Sequence, residues 1–138
     1  NRFIMKYNLF IDDVRLPVDC ANYMPDHVKY RKKEWIILRS YNEVVKFLKN
    51  NKIEDIEHVS YDHDLADEHY DYTHEWGNKE IYNSMKEKTG YDCAKYIVDK
   101  CMDANISHPQ FDVHSMNPVG KNNIIKYIEN YNKFHSGV

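Results

Sequence analysis

The chain has 138 residues, 42% of them apolar and 30% charged, with a formal net charge of −3. That length suits one domain with its own core and leaves too little for a second. The charge balance argues against general DNA or RNA binding, whose affinity comes from neutralising many phosphates, and leaves room for a single nucleotide or an RNA end.

The longest apolar runs, such as Trp35-Ile36-Ile37-Leu38, fall far short of the roughly 20 residues that a membrane span needs. No apolar stretch follows a basic start, so no secretory leader is expected. Cys20, Cys93 and Cys101 form no C-x-x-C pair. Reduced thiols in a cytoplasmic protein are the expectation. Met5 reads as a start residue and residues 1–4 as an appended extension, leaving a single domain over residues 5–135. Asn, Lys, Ile and Tyr are abundant and Gly and Ala scarce, the bias of an AT-rich source such as a phage.

Tyr7 to Ile11 reads as a buried strand that ends at Asp12-Asp13. Residues 14–34 hold Pro17 and Pro25 and only a weak helical pattern. Trp35 to Leu38 is a second short strand. Ser40 with Glu43 three residues on is a capping-box pattern, and Val44, Val45, Phe47 and Leu48 then mark a helix that Asn50-Asn51 closes. His58 to Tyr61 is a third, less apolar strand, ending in Asp62-His63-Asp64-Leu65. Residues 65–88 are acidic and aromatic, with a short helix expected near Lys79 to Lys86, and their length suggests a lid or binding loop. Trp76 and the neighbouring tyrosines are candidates to stack on a base. From Thr89 a helix runs with Tyr91, Ala94, Ile97 or Val98, and Cys101 or Met102 at helical spacing, and Pro109 marks its exit. Phe111-Asp112-Val113 is the fourth strand, followed by His114-Ser115-Met116-Asn117-Pro118 and a last helix facing inward with Ile124, Ile125, Ile128 and Tyr131.

Strands that alternate with helices imply right-handed crossovers and a parallel sheet. In such sheets ligands bind beyond the carboxyl ends of the strands, near the point where the strand order reverses. With a flavodoxin-like order of 2-1-3-4, three clusters meet there: Asp12, Asp13 and Arg15; Asp62, His63 and Asp64; His114, Ser115 and Asn117. Taken singly, each has an ordinary reading as a turn or a helix cap. Their coincidence at three strand ends is the functional signal.

Four crowded carboxylates need a divalent cation, or protons, to coexist. Oxygen ligands suit Mg2+ or Mn2+, and Asp12, Asp13 and Asp62 are the expected metal set. Arg15, Ser115, Asn117 and the main chain at Gly120 are the expected phosphate contacts. His63 and His114 are the expected acid and base, with Asp62 and Asp64 beside them.

At these residues the chain resembles a known group. Asp12-Asp13 and Asp62 resemble the acidic pocket of response-regulator receiver domains. The set Phe10-Ile11-Asp12-Asp13-x-Arg15-x-Pro17, Asp62-His63-Asp64-Leu65, Thr89-Gly90-Tyr91-Asp92 and His114-Ser115-x-Asn117-Pro118-x-Gly120 is similar to the cyclic-phosphate-processing receiver-like domains, over roughly residues 7–130. The resemblance implies a receiver-like three-layer α/β sandwich and processing of cyclic phosphates on nucleotides or RNA ends. Receivers also carry a lysine after a fifth strand; no fifth strand is evident here. Thr89 is expected to cap its helix, with Asp92 open to a cap or a site role. The leading expectation is a cytoplasmic phosphoesterase acting on a cyclic phosphate of a nucleotide, nucleotide-derived metabolite or RNA end. A sequestering, phage-encoded counter-defence module without turnover is one alternative. A phospho-aspartate switch on Asp62 is the other.

Overall fold

The structure is a computed structural model, and it describes residues 6–25, 27–65 and 88–137. Its sheet has four parallel strands: β1 (Tyr7–Ile11), β2 (Ile36–Leu38), β3 (Ile56–Tyr61) and β4 (Gln110–Val113), in the order β2-β1-β3-β4. No fifth strand occurs among the described residues. The expected order and the receiver-like α/β architecture are therefore both present.

Among the described residues, five α-helices complete the layers: α1 (Pro17–Cys20), α2 (His27–Lys32), α3 (Tyr41–Asn50), α4 (Gly90–Ala104) and α5 (Pro118–His135). The weak pattern over residues 14–34 resolves into α1 and α2. They are too short to carry a helical period of their own, so packing rather than propensity holds them. None of the described helices is long and apolar enough to cross a membrane.

The caps explain where the longer helices begin. Ser40 Oγ accepts the Glu43 N–H at 3.2 Å, but Glu43 Oε1 takes the N–H of Arg39, at 2.9 Å, rather than that of Ser40. Thr89 and Asp92 form a complete reciprocal box at the start of α4, so Asp92 is a capping residue. Helix α4 ends at Ala104, earlier than Pro109, because Asn105 turns left-handed with φ 57°. Asn117 Oδ1 caps α5 by accepting the Gly120 N–H at 3.0 Å, with Pro118 at the first helical position.

Alternation along the strands divides the core in two. Leu9, Ile11, Val59, Tyr61 and Val113 face α3, α4 and α5, where they meet Val44, Leu48, Ala94, Ile97, Cys101, Ile124 and Ile128. Phe10 faces the other way with Cys20, Ala21 and Tyr30, and Met24, Trp35 and Ile37 pack around them. On β3, on β4 and just past the end of β4, the polar residues that alternate with the larger core are His58, Ser60, Asp112 and His114. The third strand reads as less apolar because one of its faces carries polar side chains. Of the residues expected to face inward, Met102 is 56% exposed, because Cys101 takes the buried position of that turn. All three cysteines are buried free thiols.

Candidate active site at the carboxyl edge of the sheet

Three site residues are lined up by the sheet itself. The parallel ladder runs one residue past each strand: Asp12 N–H donates to Leu38 O at 3.1 Å, Asp62 N–H to Ile11 O at 2.8 Å, and His114 N–H to Tyr61 O at 2.9 Å. Each is thus the first residue beyond its strand and is held by main-chain hydrogen bonds. By alternation all three side chains fall on the side of the sheet that α1 and α2 cover.

Asp12 is fully buried. Its Oδ1 accepts the N–H groups of Val14 at 2.9 Å and Arg15 at 2.8 Å, and its Oδ2 meets His114 Nε2 at 2.9 Å. Burial works to raise its pKa, but the bonds from His114, Arg15 and Val14 outweigh burial and hold it at about 2. Asp62 Oδ1 accepts the His63 N–H at 2.8 Å. Burial, joined by the charge of Asp12, pushes it up to about 7, with Arg15 opposing. Arg15 Nη1 lies 3.3 Å from Asp12 Oδ2 and 3.6 Å from Asp62 Oδ2.

Asp12, Asp13 and Asp62 each bring a carboxylate oxygen within 4.8 Å of the others. The set fits a cation on two grounds. Its donors are all oxygen, as hard divalent ions require. A cation there would also relieve the crowding that raises Asp62. Asp64 does not join this group; its carboxylate turns to His63 Nδ1 at 3.0 Å and to Asn117 Nδ2 at 3.4 Å.

His63 sits in the loop after β3. Its N–H donates to Asp62 Oδ1 at 2.8 Å, and its carbonyl accepts the Gly90 N–H at 2.7 Å. Two glycines make room for this loop. A Cβ at Gly90 would stand 1.6 Å from Asp62 O, and one at Gly120 would stand 2.3 Å from His63 Cγ. The Thr-Gly and Asn-Pro-x-Gly motifs are thus close-approach surfaces for Asp62-His63.

His114 requires a correction. Expected to exchange protons with a ligand, it is instead wholly buried beneath the carboxylates, stacked on Phe10 with ring centroids 4.5 Å apart. Both ring nitrogens are committed: Nε2 to Asp12, and Nδ1 to Ser60 Oγ at 2.7 Å. Burial lowers its pKa, with Asp12 opposing. The Ser60–His114–Asp12 arrangement has the composition of a nucleophilic triad, but Ser60 is fully buried within β3 and no substrate can reach its hydroxyl.

Two expected phosphate contacts are also reassigned. The Gly120 N–H is taken by Asn117 Oδ1, and the Asn117 amide is shared between that cap and Asp64. Both positions build the site without offering those groups to a phosphate. Ser115 is buried, and its Oγ accepts the Asn117 N–H at 3.1 Å. Trp76, the neighbouring tyrosines, the helix near Lys79 to Lys86 and the lid lie outside the described residues.

Several contributors escaped the sequence reading. Arg39 Nη1 donates to Asp12 O at 3.2 Å and Arg15 O at 2.6 Å, tying the loop after β1 to the end of β2. Its place just after the second strand was the available signal. Tyr23 donates to His114 O at 2.7 Å and lies under the Arg15 guanidinium, 5.8 Å from ring centroid to Cζ. Nothing in its local sequence marks it, because α1 and α2 must fold over the sheet before the contact exists.

The profile of the family described as cyclic-phosphate processing receiver domain matches residues 7–130. No curated protein and no solved structure matches the chain significantly.

Proposed function

The chain belongs to the cyclic-phosphate-processing receiver domains, and from that membership we propose that it is a phosphoesterase that opens a cyclic phosphate on a nucleotide, a nucleotide-derived metabolite or an RNA end. The observation that carries this reading is one juxtaposition at the sheet edge. A three-carboxylate cluster, an arginine 3.3 Å from one of its members and an imidazole buttressed by Asp64 at 3.0 Å lie on adjoining loops.

Asp12, Asp13 and Asp62 would hold Mg2+ or Mn2+, the ions that an all-oxygen set suits. When bound, the ion supplies Lewis-acid stabilisation of phosphoryl charge. Arg15 turns its planar fork from the carboxylates onto two phosphoryl oxygens. Ser115 lies on the adjoining loop and donates its hydroxyl proton to a third. His63, its Nδ1 fixed by Asp64, takes a proton from the attacking water and returns it to the ester oxygen that leaves. One P–O bond forms to the water oxygen, one P–O bond of the cyclic phosphate breaks, and the imidazole ends as it began. His114 supports Asp12 from below and does not touch the substrate.

The test is phosphorus NMR on 2′,3′-cyclic and 3′,5′-cyclic nucleotides, cyclic oligonucleotides and ADP-ribose cyclic phosphate. Each is run with Mg2+, Mn2+ or chelator, beside His63→Ala. A cyclic signal that converts to a monoester with intact protein, and not with His63→Ala, supports the reading. No conversion of any substrate overturns it.

A sequestering module is the second reading, and one observation favours it: with His114 committed on both nitrogens, His63 is the one remaining imidazole of the two that the sequence reading gave proton transfer. Ligand line-broadening without turnover would select this reading. The phospho-aspartate switch has less support. Asp62 is buried beside Asp12, and the described sheet has no fifth strand to carry the receiver lysine.

A further inference from the structure

We propose that a pocket along the outer edge of β4 receives a nucleobase, which makes the substrate a nucleoside cyclic phosphate with base and phosphate on one ribose. The phosphate end rests on the phosphoesterase reading above. The base end rests on the edge of the sheet.

β4 is the last strand of the described sheet, paired with β3 on one edge and open on the other. The bond from His114 N–H to Tyr61 O fixes which main-chain groups lie where. Successive residues of a strand direct those groups to opposite edges. Gln110, Asp112 and His114 therefore face β3, and Phe111 and Val113 turn their N–H and C=O outward. These outward groups have no hydrogen-bond partner among the described residues.

A cavity of about 270 Å3 opens along this edge. Met24 and Tyr30 wall it on the side of α1 and α2, and Ile125 walls it on the side of α5. It is a slot in the plane of the sheet, closed above and below by apolar side chains, and a flat ring fits such a slot. The floor offers the Phe111 carbonyl and, two residues on, the Val113 N–H, an acceptor beside a donor. Every nucleobase has a donor next to an acceptor on its pairing edge. An added peptide strand would match the same groups, but β4 has only two outward residues, too few to hold one.

Charge points the same way. Lys29 Nζ lies 2.6 Å from Asp112 Oδ2, so that pair adds little net charge, and Lys121 is the remaining charged side chain of the lining. A mostly apolar slot with a few fixed polar groups suits a neutral heterocycle rather than a phosphate. Cavities for drug-sized ligands start at roughly 300 Å3, so this one has room for one base and not for several.

The slot ends where the catalytic edge begins. Val113 stands one residue before His114 and two before Ser115, and Lys121 follows Gly120, which packs on His63. A base in the slot brings its own ribose to the carboxylate cluster. Ligands that carry their base on a second ribose, beyond a diphosphate, leave the slot unfilled.

The test has two arms. In the first, nitrogen-15 NMR follows the intact protein titrated with adenosine, guanosine, cytidine and uridine, none of which carries a phosphate. At least one is expected to shift the Phe111 and Val113 amides and to give Overhauser contacts from base protons to the methyl groups of Met24 and Ile125. No such contact from any nucleoside at millimolar concentration overturns the proposal. Broadening of the same amides with protein concentration alone assigns the edge to a second copy and also overturns it. In the second arm, phosphorus NMR compares kcat/KM for the 2′,3′-cyclic phosphate of the best-bound nucleoside with that for methyl riboside 2,3-cyclic phosphate, which has no base. Loss of the base is expected to lower kcat/KM about tenfold or more, because the slot's main-chain groups go unpaired. Equal values overturn the subsite and leave the phosphoesterase reading standing. Base contacts without turnover of any cyclic phosphate strike the phosphoesterase reading and leave the slot as a nucleoside site.

Discussion

The imidazole of His63 lies flat against Gly120 of α5, so close that a Cβ there would stand 2.3 Å from Cγ, 2.6 Å from Cδ2 and 2.8 Å from Nδ1. The start of one helix is thus part of the wall that sets the ring's position, and Asp64 and Asn117 hold its Nδ1 edge.

Gly120→Ala should therefore displace the ring. Overpacking of this kind destabilises by about 1–3 kcal/mol, and turnover should fall more than stability predicts. Gly90→Ala should be worse, because its Cβ meets the Asp62 carbonyl, a main-chain atom that cannot swing aside. Urea unfolding of the two variants beside phosphorus NMR checks both. Equal stability of all three proteins would refute the packing argument.

Burial and the neighbouring charge of Asp12 both work against ionised Asp62. Asp62→Asn should raise the melting temperature of chelator-treated protein, because it removes a buried repulsion. The same substitution should abolish any gain from added Mg2+ or Mn2+, since a cation-binding oxygen is lost. Calorimetric melts with chelator and with metal measure both effects. A variant that melts lower than wild type in chelator would count against the repulsion.

His108 is buried, accepts from Tyr61 OH at Nε2 and donates from Nδ1 to Pro109 O, at 2.6 and 2.7 Å. Burial lowers its pKa to about 4 from the ordinary 6.5, with the Pro109 bond opposing and His58 assisting. The unfolded chain therefore binds this proton first as the pH falls. The stabilisation is complete above pH 6.5 and is lost progressively down to about pH 4, a change on the order of 3 kcal/mol. Asp112 acts in a lower window. Burial would raise its pKa, but the bonds to His58 and Lys29 hold it at about 2, and its contribution is lost between pH 3.8 and 2. Denaturant melts from pH 7 to pH 4 should show a steep loss in wild type and a shallower one in His108→Gln.

Asn117 both caps α5 and contacts Asp64. Asn117→Ala should lower stability by about 1–2 kcal/mol through the lost cap and also reduce turnover. Asn117→Ser retains a capping oxygen and should recover most of the stability while leaving turnover impaired, because the amide that reaches Asp64 is lost. Unfolding and activity measured on both variants separate the two roles.

Much of this architecture was legible before any coordinates. Apolar runs at Tyr7–Ile11 and Trp35–Leu38, helical spacing from Thr89 and the caps at Ser40 and Thr89 are local signals. Their alternation admits few topologies. Asp12, Asp62 and His114 were recognisable as site residues because each ends a strand, and in a parallel sheet those ends lie together.

The roles of individual groups were not legible, because they depend on contacts between distant segments. His114 reads as a free acid–base group until Ser60, fifty-four positions away, and Asp12, one hundred and two away, close on its two nitrogens. Asn117 and Gly120 read as phosphate donors until the helix start uses the amide oxygen of one to bind the N–H of the other. Strand ends and residue types are written along the chain. The lone pair or proton that a side chain has left to offer depends on which distant groups fold against it.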